Sequence, residues 1–205
     1  MSYQKSHIKV LDLLQGYDLV FDQYDKYRSW LDSFYKLDFS RFVSRNLDVF
    51  DIVDLGAGDG RLWQFLNKLN YNKYLACDIS QKMIDKHPGN IKKLVFDLDT
   101  KFPIESDQFD LASAFFVLEH LADLDNFFEE TYRILREGGV LIIGYFIQRR
   151  EFVWKTKGES FKIKLYKYKI EEIKKKAEHN FFEVFLNPVY EKGMLSGYII
   201  VCEKK

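Results

Sequence analysis

The chain has 205 residues, 47% hydrophobic and 30% charged, and its 31 basic and 31 acidic side chains cancel. That size suits one α/β domain with a sizeable core, and zero net charge excludes the global basic field of many nucleic-acid binders. No Cys/His spacing suggests a zinc site or other metal centre, the N-terminus lacks the apolar stretch of a signal peptide, and no apolar run approaches the roughly 18 residues of a membrane span.

Residues 1–47 carry helical spacing, with Leu11, Leu14, Leu19, Val20, Tyr24, Tyr27, Trp30, Leu31 and Phe34 recurring at three and four, and are expected to form a helical cap. From residue 48 to 147 short apolar runs alternate with helical stretches. Val49–Leu55 is a first strand ending in a glycine turn, and Leu62–Leu69 reads as helical. Tyr74–Asp78 is a second strand, and Ser80 caps a helix holding Met83 and Ile84. Leu94–Phe96 and Phe109–Phe116 are a third and a fourth strand. Ala122–Arg136 is a helix stopped by Gly138-Gly139, and Val140–Ile147 is a fifth strand. Such alternation predicts parallel pairing with right-handed crossovers.

The remainder differs. In 148–170, Phe161, Ile163 and Leu165 alternate with lysines around a turn at Lys157-Gly158-Glu159, which predicts a small β-excursion. In 171–205 a short helix, Glu171–Glu178, precedes two strands, Phe181–Leu186 and Tyr198–Cys202, joined through Pro188 and Gly193 as a hairpin. Charge is uneven as well. Asp97–Glu130 holds ten acidic residues and one basic, whereas Arg149–Lys176 holds eleven basic and four acidic.

In an open parallel sheet, ligands bind beyond the carboxyl ends of the strands. After the first strand stand Gly56, Ala57 and Gly58, which let the chain turn sharply and a ligand approach the backbone. After the second stands Asp78, 22 residues beyond Gly56 and able to accept hydrogen bonds from both hydroxyls of a ribose. After the third stand Asp97 and Leu98, suited to an adenine amino group and ring, with Asp97 preferred to Asp99. After the fourth stand Phe115 and Phe116. Dinucleotide folds share a glycine turn and a distal acid, but their glycines run G-x-G-x-x-G. Here Gly56, Gly58 and Gly60 run G-x-G-x-G. Asp54 and Asp59 add two negative charges, which suit a cationic ligand better than a pyrophosphate.

Asp54–Arg61 (DLGAGDGR) resembles the first motif of class I S-adenosylmethionine-dependent methyltransferases of the type 11-like group. Asp78-Ile79-Ser80-Gln81-Lys82-Met83 is similar to their D-x-S-x-x-M segment, Phe109–Leu121 to their fourth-strand segment, and Arg133–Gly139 to R-x-L-x-x-G-G. The resemblance runs from about residue 48 to 147. At the family's A-G-F site before the sixth strand this chain has His179-Asn180-Phe181.

The resemblance implies a Rossmann-like, doubly wound seven-stranded sheet, mostly parallel with an antiparallel last strand. It also implies S-adenosylmethionine as methyl donor and S-adenosylhomocysteine as product. Gly56 and Gly58, with Ala57 and Asp54 in the same turn, would meet the methionine part, Asp78 the ribose, and Ile79 and Met83 the adenine faces. Asp97 and Leu98 would sit at the adenine edge and Phe115 near the sulfonium. A tyrosine of the N-terminal helix, Tyr24 foremost, would reach the carboxylate, with Arg28 as a weaker candidate. A catalytic base is needed only for a protonated acceptor, and His120, then Glu119, are the candidates. The expected enzyme is a cytoplasmic methyltransferase with a small-molecule acceptor and no membrane association; its oligomeric state is left open. RNA is the alternative acceptor, through the basic 149–176 segment, where Phe152, Trp154, Tyr166 and Tyr168 are interleaved. A non-catalytic partner subunit that binds the cofactor is the third reading.

Overall fold

A computed structural model describes residues 8–22, 24, 50–147, 152–156 and 158–205. Strand β1 (Lys9–Leu11) and helix α1 (Leu13–Val20) come first. The core runs β2 (Phe50–Leu55), α2 (Trp63–Leu66), β3 (Tyr71–Asp78), α3 (Gln81–Asp85) and β4 (Lys92–Val95). It continues with β5 (Phe109–Phe115), a 3-10 turn (Leu118–His120), α4 (Leu124–Ile134) and β6 (Leu135–Phe146). The hairpin β7 (Trp154–Lys155) and β8 (Ser160–Ile163), helix α5 (Ile170–His179), and the hairpin β9 (Phe182–Glu191) and β10 (Met194–Lys204) complete the chain.

Seven strands form one sheet in the order β4-β3-β2-β5-β6-β10-β9. The β2, β3, β4, β5 and β6 pairings are parallel, and β10 runs antiparallel to both of its neighbours, as expected. All six residues of β2 are buried, as a strand covered on both faces requires. Apolar side chains collect on the two faces of the sheet. One cluster joins Phe127, Phe128, Ile173 and Phe182, and the other Leu62, Leu66, Ile84 and Ile199. Arg136 ties the strand beginnings together, bonding Asp110 at 2.8 Å and Asp51 at 2.7 Å.

Several boundaries differ from the sequence reading. Leu11 belongs to β1, where it pairs with Ile163 of β8 in a separate three-stranded sheet, β1-β8-β7. Helical spacing is no guide there, because the strand partner lies far along the chain. The expected helix over Leu62–Leu69 is regular only over Trp63–Leu66. Helix α4 ends at Ile134, and Leu135 already pairs with Phe109, so the glycine pair lies inside β6 rather than stopping the helix. Strand β9 runs through Pro188, which pairs with Tyr198. This is allowed because β9 is an edge strand, where proline's missing N–H costs no ladder bond. The hairpin turns instead at Lys192 and Gly193, both at positive φ. The A-G-F site is offset by one residue, since Phe181 takes the left-handed position at φ 66° and Phe182 is buried. Tyr27, Arg28, Trp30, Leu31, Phe34 and the Arg149-Arg150 pair lie outside the described residues.

The charge asymmetry resolves partly into packing. Helix α5 lies against α4, and Lys176 bonds Asp125 at 2.6 Å. The segment leading into α5 is pinned to the same region, with the Tyr166 amide donating to the Glu119 carbonyl at 2.7 Å and the Tyr168 hydroxyl to the Leu121 carbonyl at 2.6 Å.

Candidate functional site

A cavity of about 810 Å³, counting its open mouth, lies beyond the carboxyl ends of β2, β3 and β5. That is the place at which an open α/β sheet binds a small ligand. The eleven residues assigned to cofactor binding all line it: Asp54, Gly56, Ala57, Gly58, Asp78, Ile79, Met83, Asp97, Leu98, Phe115 and Tyr24.

The floor is the glycine turn. Gly56, Gly58 and Gly60 have φ of 73°, 55° and 82°, the left-handed region where a Cβ is penalised. A Cβ on Gly56 would also lie 2.4 Å from Val117 Cγ2. Asp78 fixes the turn, accepting from the Gly58 amide at 2.8 Å through one oxygen and from the Ser80 amide at 2.9 Å through the other. The carboxylate, which lines the cavity, keeps acceptor capacity beyond these bonds. Burial raises the Asp78 pKa, and the Ser80, Gly58 and Ile79 amides oppose that shift.

Asp54 works differently. It accepts from the Ser113 hydroxyl at 2.7 Å and the Tyr74 hydroxyl at 3.0 Å, which locks the end of β2 to β5 and β3. Burial pushes its pKa up to about 6 despite those two donors. The two acids beyond β4 also separate clearly. Asp99 caps the Ala122 and Asp123 amides at 2.9 and 3.1 Å, whereas Asp97 lines the cavity.

The roof comes from α1, Tyr24 and the β7 residue Trp154. Tyr17 and Tyr24 meet edge to face at 5.9 Å, and Tyr24 stacks on Trp154 at 6.2 Å. The Arg61 guanidinium lies 5.0 Å over the Tyr24 ring. Helix α1 is pinned to the core through Asp18, which accepts from the Ser80 hydroxyl at 2.9 Å and pairs with Lys82 at 2.9 Å. Behind it, Leu11, Val20, Phe161 and Ile163 form a small core of their own.

The two candidate bases part company. His120 lines the cavity, and its Nε2 lies 2.9 Å from the Tyr17 hydroxyl. Burial pushes its pKa down to about 4, so the ring is neutral at pH 7. Glu119 is not among the lining residues, and its Oε2 is buried with no hydrogen-bond partner among the described residues. Burial pushes its pKa up to about 7. Phe116, between the two regions, holds a positive φ of 58° at the end of β5, a conformation that costs a bulky residue energy.

Lining residues to which the sequence assigned no role include Leu13, Arg61, Leu62, Val117 and Leu121. Arg61 carried a signal, as it directly follows the glycine turn. Leu13 carried none, because only folding of the cap brings it there. Among the described residues no group of three or more His, Cys, Asp or Glu side chains could hold a metal, and no helix is long and apolar enough to cross a membrane.

The strand order, the glycine turn and the acids after β3 and β4 together define a Rossmann-like class I methyltransferase fold. Residues 53–143 match the model of a family described as "Methyltransferase domain". Over 153 residues it is 29% identical to the uncharacterized protein MJ1123 of Methanocaldococcus jannaschii, spanning 72% of this chain and 71% of that one. Among solved structures, the DhpI-SAM-HEP complex has a TM-score of 0.75 at 20% identity, covering 94% of this chain and 95% of that one. The PH0226 protein of Pyrococcus horikoshii has a TM-score of 0.73 at 18% identity, covering 94% and 100%. A chain in the complex between the Haloferax volcanii Trm112 methyltransferase activator and a methyltransferase has a TM-score of 0.73 at 15% identity, covering 91% and 96%. Identities this low establish the shared fold alone.

Proposed function

We propose that this chain binds S-adenosylmethionine in the cavity and directs its methyl group to a small-molecule acceptor. The observation that carries the reading is the charge of the lining. Four carboxylates, Asp54, Asp59, Asp78 and Asp97, face a cavity to which Arg61 contributes a cation. Such a lining suits a cationic sulfonium and repels a pyrophosphate, although the same glycine-rich geometry could cradle either. The donor supplies an electrophilic methyl group, so the protein's task is alignment and exclusion of water.

Within this reading, Gly56, Ala57 and Gly58 approach the methionine part, near Asp54. Asp78 receives the ribose hydroxyls with its remaining lone pairs, and Ile79 and Met83 flank the adenine. Asp97 and Leu98 meet the adenine edge, Phe115 lies toward the sulfonium, and Tyr24 reaches the carboxylate beside Arg61. His120 is the base for a protonated acceptor. Glu119, outside the lining, acts at most behind it.

A small acceptor is favoured because Tyr17 and Tyr24 roof the cavity and leave a bounded space. The lysines that suggested RNA are partly engaged: Lys176 pairs with Asp125, Lys174 with Glu178, and Lys164 lies over the Tyr166 ring. Calorimetric titration with S-adenosylhomocysteine tests the donor site. Wild type is expected to bind, and Asp78→Ala to lose about 100-fold in affinity, the order expected when a charged acceptor of two or more hydrogen bonds is removed. A wild type that does not bind would sink the reading. Binding without turnover on any acceptor would favour the non-catalytic subunit, and salt-sensitive RNA retention the RNA enzyme.

A further inference from the structure

We infer that Tyr17 is a catalytic proton relay, its hydroxyl standing between the methyl acceptor and His120. This rests on the methyltransferase reading above. It begins from a conflict within the site. His120 lines the cavity, yet its Nε2 is already held by the Tyr17 hydroxyl at 2.9 Å. Its Nδ1 is buried and has no well-formed hydrogen-bond partner among the described residues. With Nε2 covered by Tyr17 and Nδ1 buried, the ring cannot take a proton from an acceptor directly. It can take one through the group that covers it.

The chemistry of the pair fixes the direction. Burial, Tyr24, Glu119 and Asp78 hold the Tyr17 phenol well above its ordinary pKa, with Arg61 opposing them, so it keeps its proton and can donate it. The imidazole is neutral, and the Lys164 backbone, from the segment just after β8, is the one influence that favours its protonated form. The consistent arrangement has Tyr17 donating to Nε2 and the ring proton on Nδ1, toward the Lys164 main chain. Edge-to-face packing of the two rings at 5.4 Å holds that geometry. Groups from three regions thus face the pair: Tyr24 from the cap, Glu119 and Asp78 from the core, and Lys164 from the excursion.

In the relay, the bond between the acceptor atom and its proton breaks as that proton joins the Tyr17 oxygen. The original Tyr17 proton moves to His120 Nε2, giving an imidazolium and leaving Tyr17 neutral. The electron pair left on the acceptor atom forms its bond to the methyl group, and the old carbon–sulfur pair stays on sulfur. The imidazolium returns its proton to water as the products leave. The arrangement serves an acceptor that carries a proton at neutral pH, such as a hydroxyl or a phenol, and gives no help to a carboxylate.

The test reads the tautomer of His120 by long-range ¹H–¹⁵N NMR of the full chain at pH 7, with and without S-adenosylhomocysteine, assigning the ring by comparison with His120→Gln. Wild type is expected to show a neutral ring protonated on Nδ1, with Nε2 shifted as a hydrogen-bond acceptor. Tyr17→Phe is expected to move the Nε2 signal to that of a free nitrogen or to convert the ring to the Nε2–H form. A wild-type ring protonated on Nε2 would overturn the relay, and that measurement stands even if Tyr17→Phe does not fold. An Nε2 signal unchanged in Tyr17→Phe would overturn it too. Because S-adenosylhomocysteine binding is followed on the same wild-type sample, failure to bind marks loss of the parent reading. Binding with the wrong tautomer marks loss of the relay alone.

Discussion

The floor of the cavity is built by residues close in sequence, and its roof by residues far apart. The floor is one turn, Asp54 to Gly60, fixed by Asp78 at the end of the neighbouring strand. Its rules are local: glycines where φ is positive and a carboxylate where amides point outward. The roof is α1 held against β8, with Gly16 so close that a Cβ there would lie 2.4 Å from Ile163 Cγ1. Its rules are tertiary, and the binding site needs both. The floor rests on the main sheet, while the roof rests on a small core of its own, Leu11, Val20, Phe161 and Ile163.

The largest expected effect lies on the floor. Gly56→Ala puts a Cβ at a left-handed position and into Val117, so strain and overpacking add to about 3 kcal/mol or more of lost stability. Urea unfolding would measure it, and S-adenosylhomocysteine affinity should collapse in parallel. Affinity within threefold of wild type would mean that the turn does not need its observed shape.

Next comes the pH dependence of Asp54. Its folded-state pKa of about 6 exceeds the ordinary 3.8, so the folded state binds the proton more tightly. Its contribution is fully present below 3.8 and is lost as pH rises through about 6, a difference of about 3 kcal/mol. Asp54→Asn removes the charge and keeps one acceptor oxygen, while its NH2 group meets the other hydroxyl, which must turn to accept. Denaturant midpoints from pH 4 to 8 should therefore fall less steeply in the variant than in wild type. Parallel profiles would show that Asp54 is not the group that titrates.

The same contrast explains what is legible in the sequence. Strands β2 and β6 are apolar runs beside glycines, β5 is an apolar run, and the acids at the ends of β3 and β4 sit at fixed places in a parallel sheet, so the floor can be read residue by residue. Leu11 has the spacing of a helix. What makes it a strand is pairing with Ile163, which no local window contains. Tyr17 and Tyr24 read as helix-spaced aromatics, but their partners His120 and Trp154 are set by the same long-range closure. Pro188 reads as a break because an edge position cannot be seen from composition.

Gly16→Val asks whether the roof is a separate unit. The new side chain must displace Ile163, costing about 1–3 kcal/mol. If roof and floor are independent, hydrogen exchange should quicken at the β1 and β8 amides, with β5 amides protected as in wild type. Uniform loss of protection would join the two regions into one cooperative unit.

The smallest effect has the opposite sign. In the floor, every left-handed residue from Asp54 to Gly60 is a glycine, whereas the turn from α5 into β9 places Phe181 at φ 66° with 73% of its surface exposed. Here the left-handed position after a helix, normally glycine's, carries a large side chain that gains little from burial. Its ring still touches Tyr132, 6.1 Å away between centroids, so part of the strain is offset by packing. Phe181→Gly removes the strain and forfeits that contact, and it also makes the unfolded chain more flexible, which opposes the gain. Relief of a left-handed bulky residue should win, stabilising the protein by about 1 kcal/mol in thermal or urea unfolding. A destabilised variant would show that the Tyr132 contact outweighs the backbone term. Conformational demand would then govern residue choice in the floor, but not at this turn.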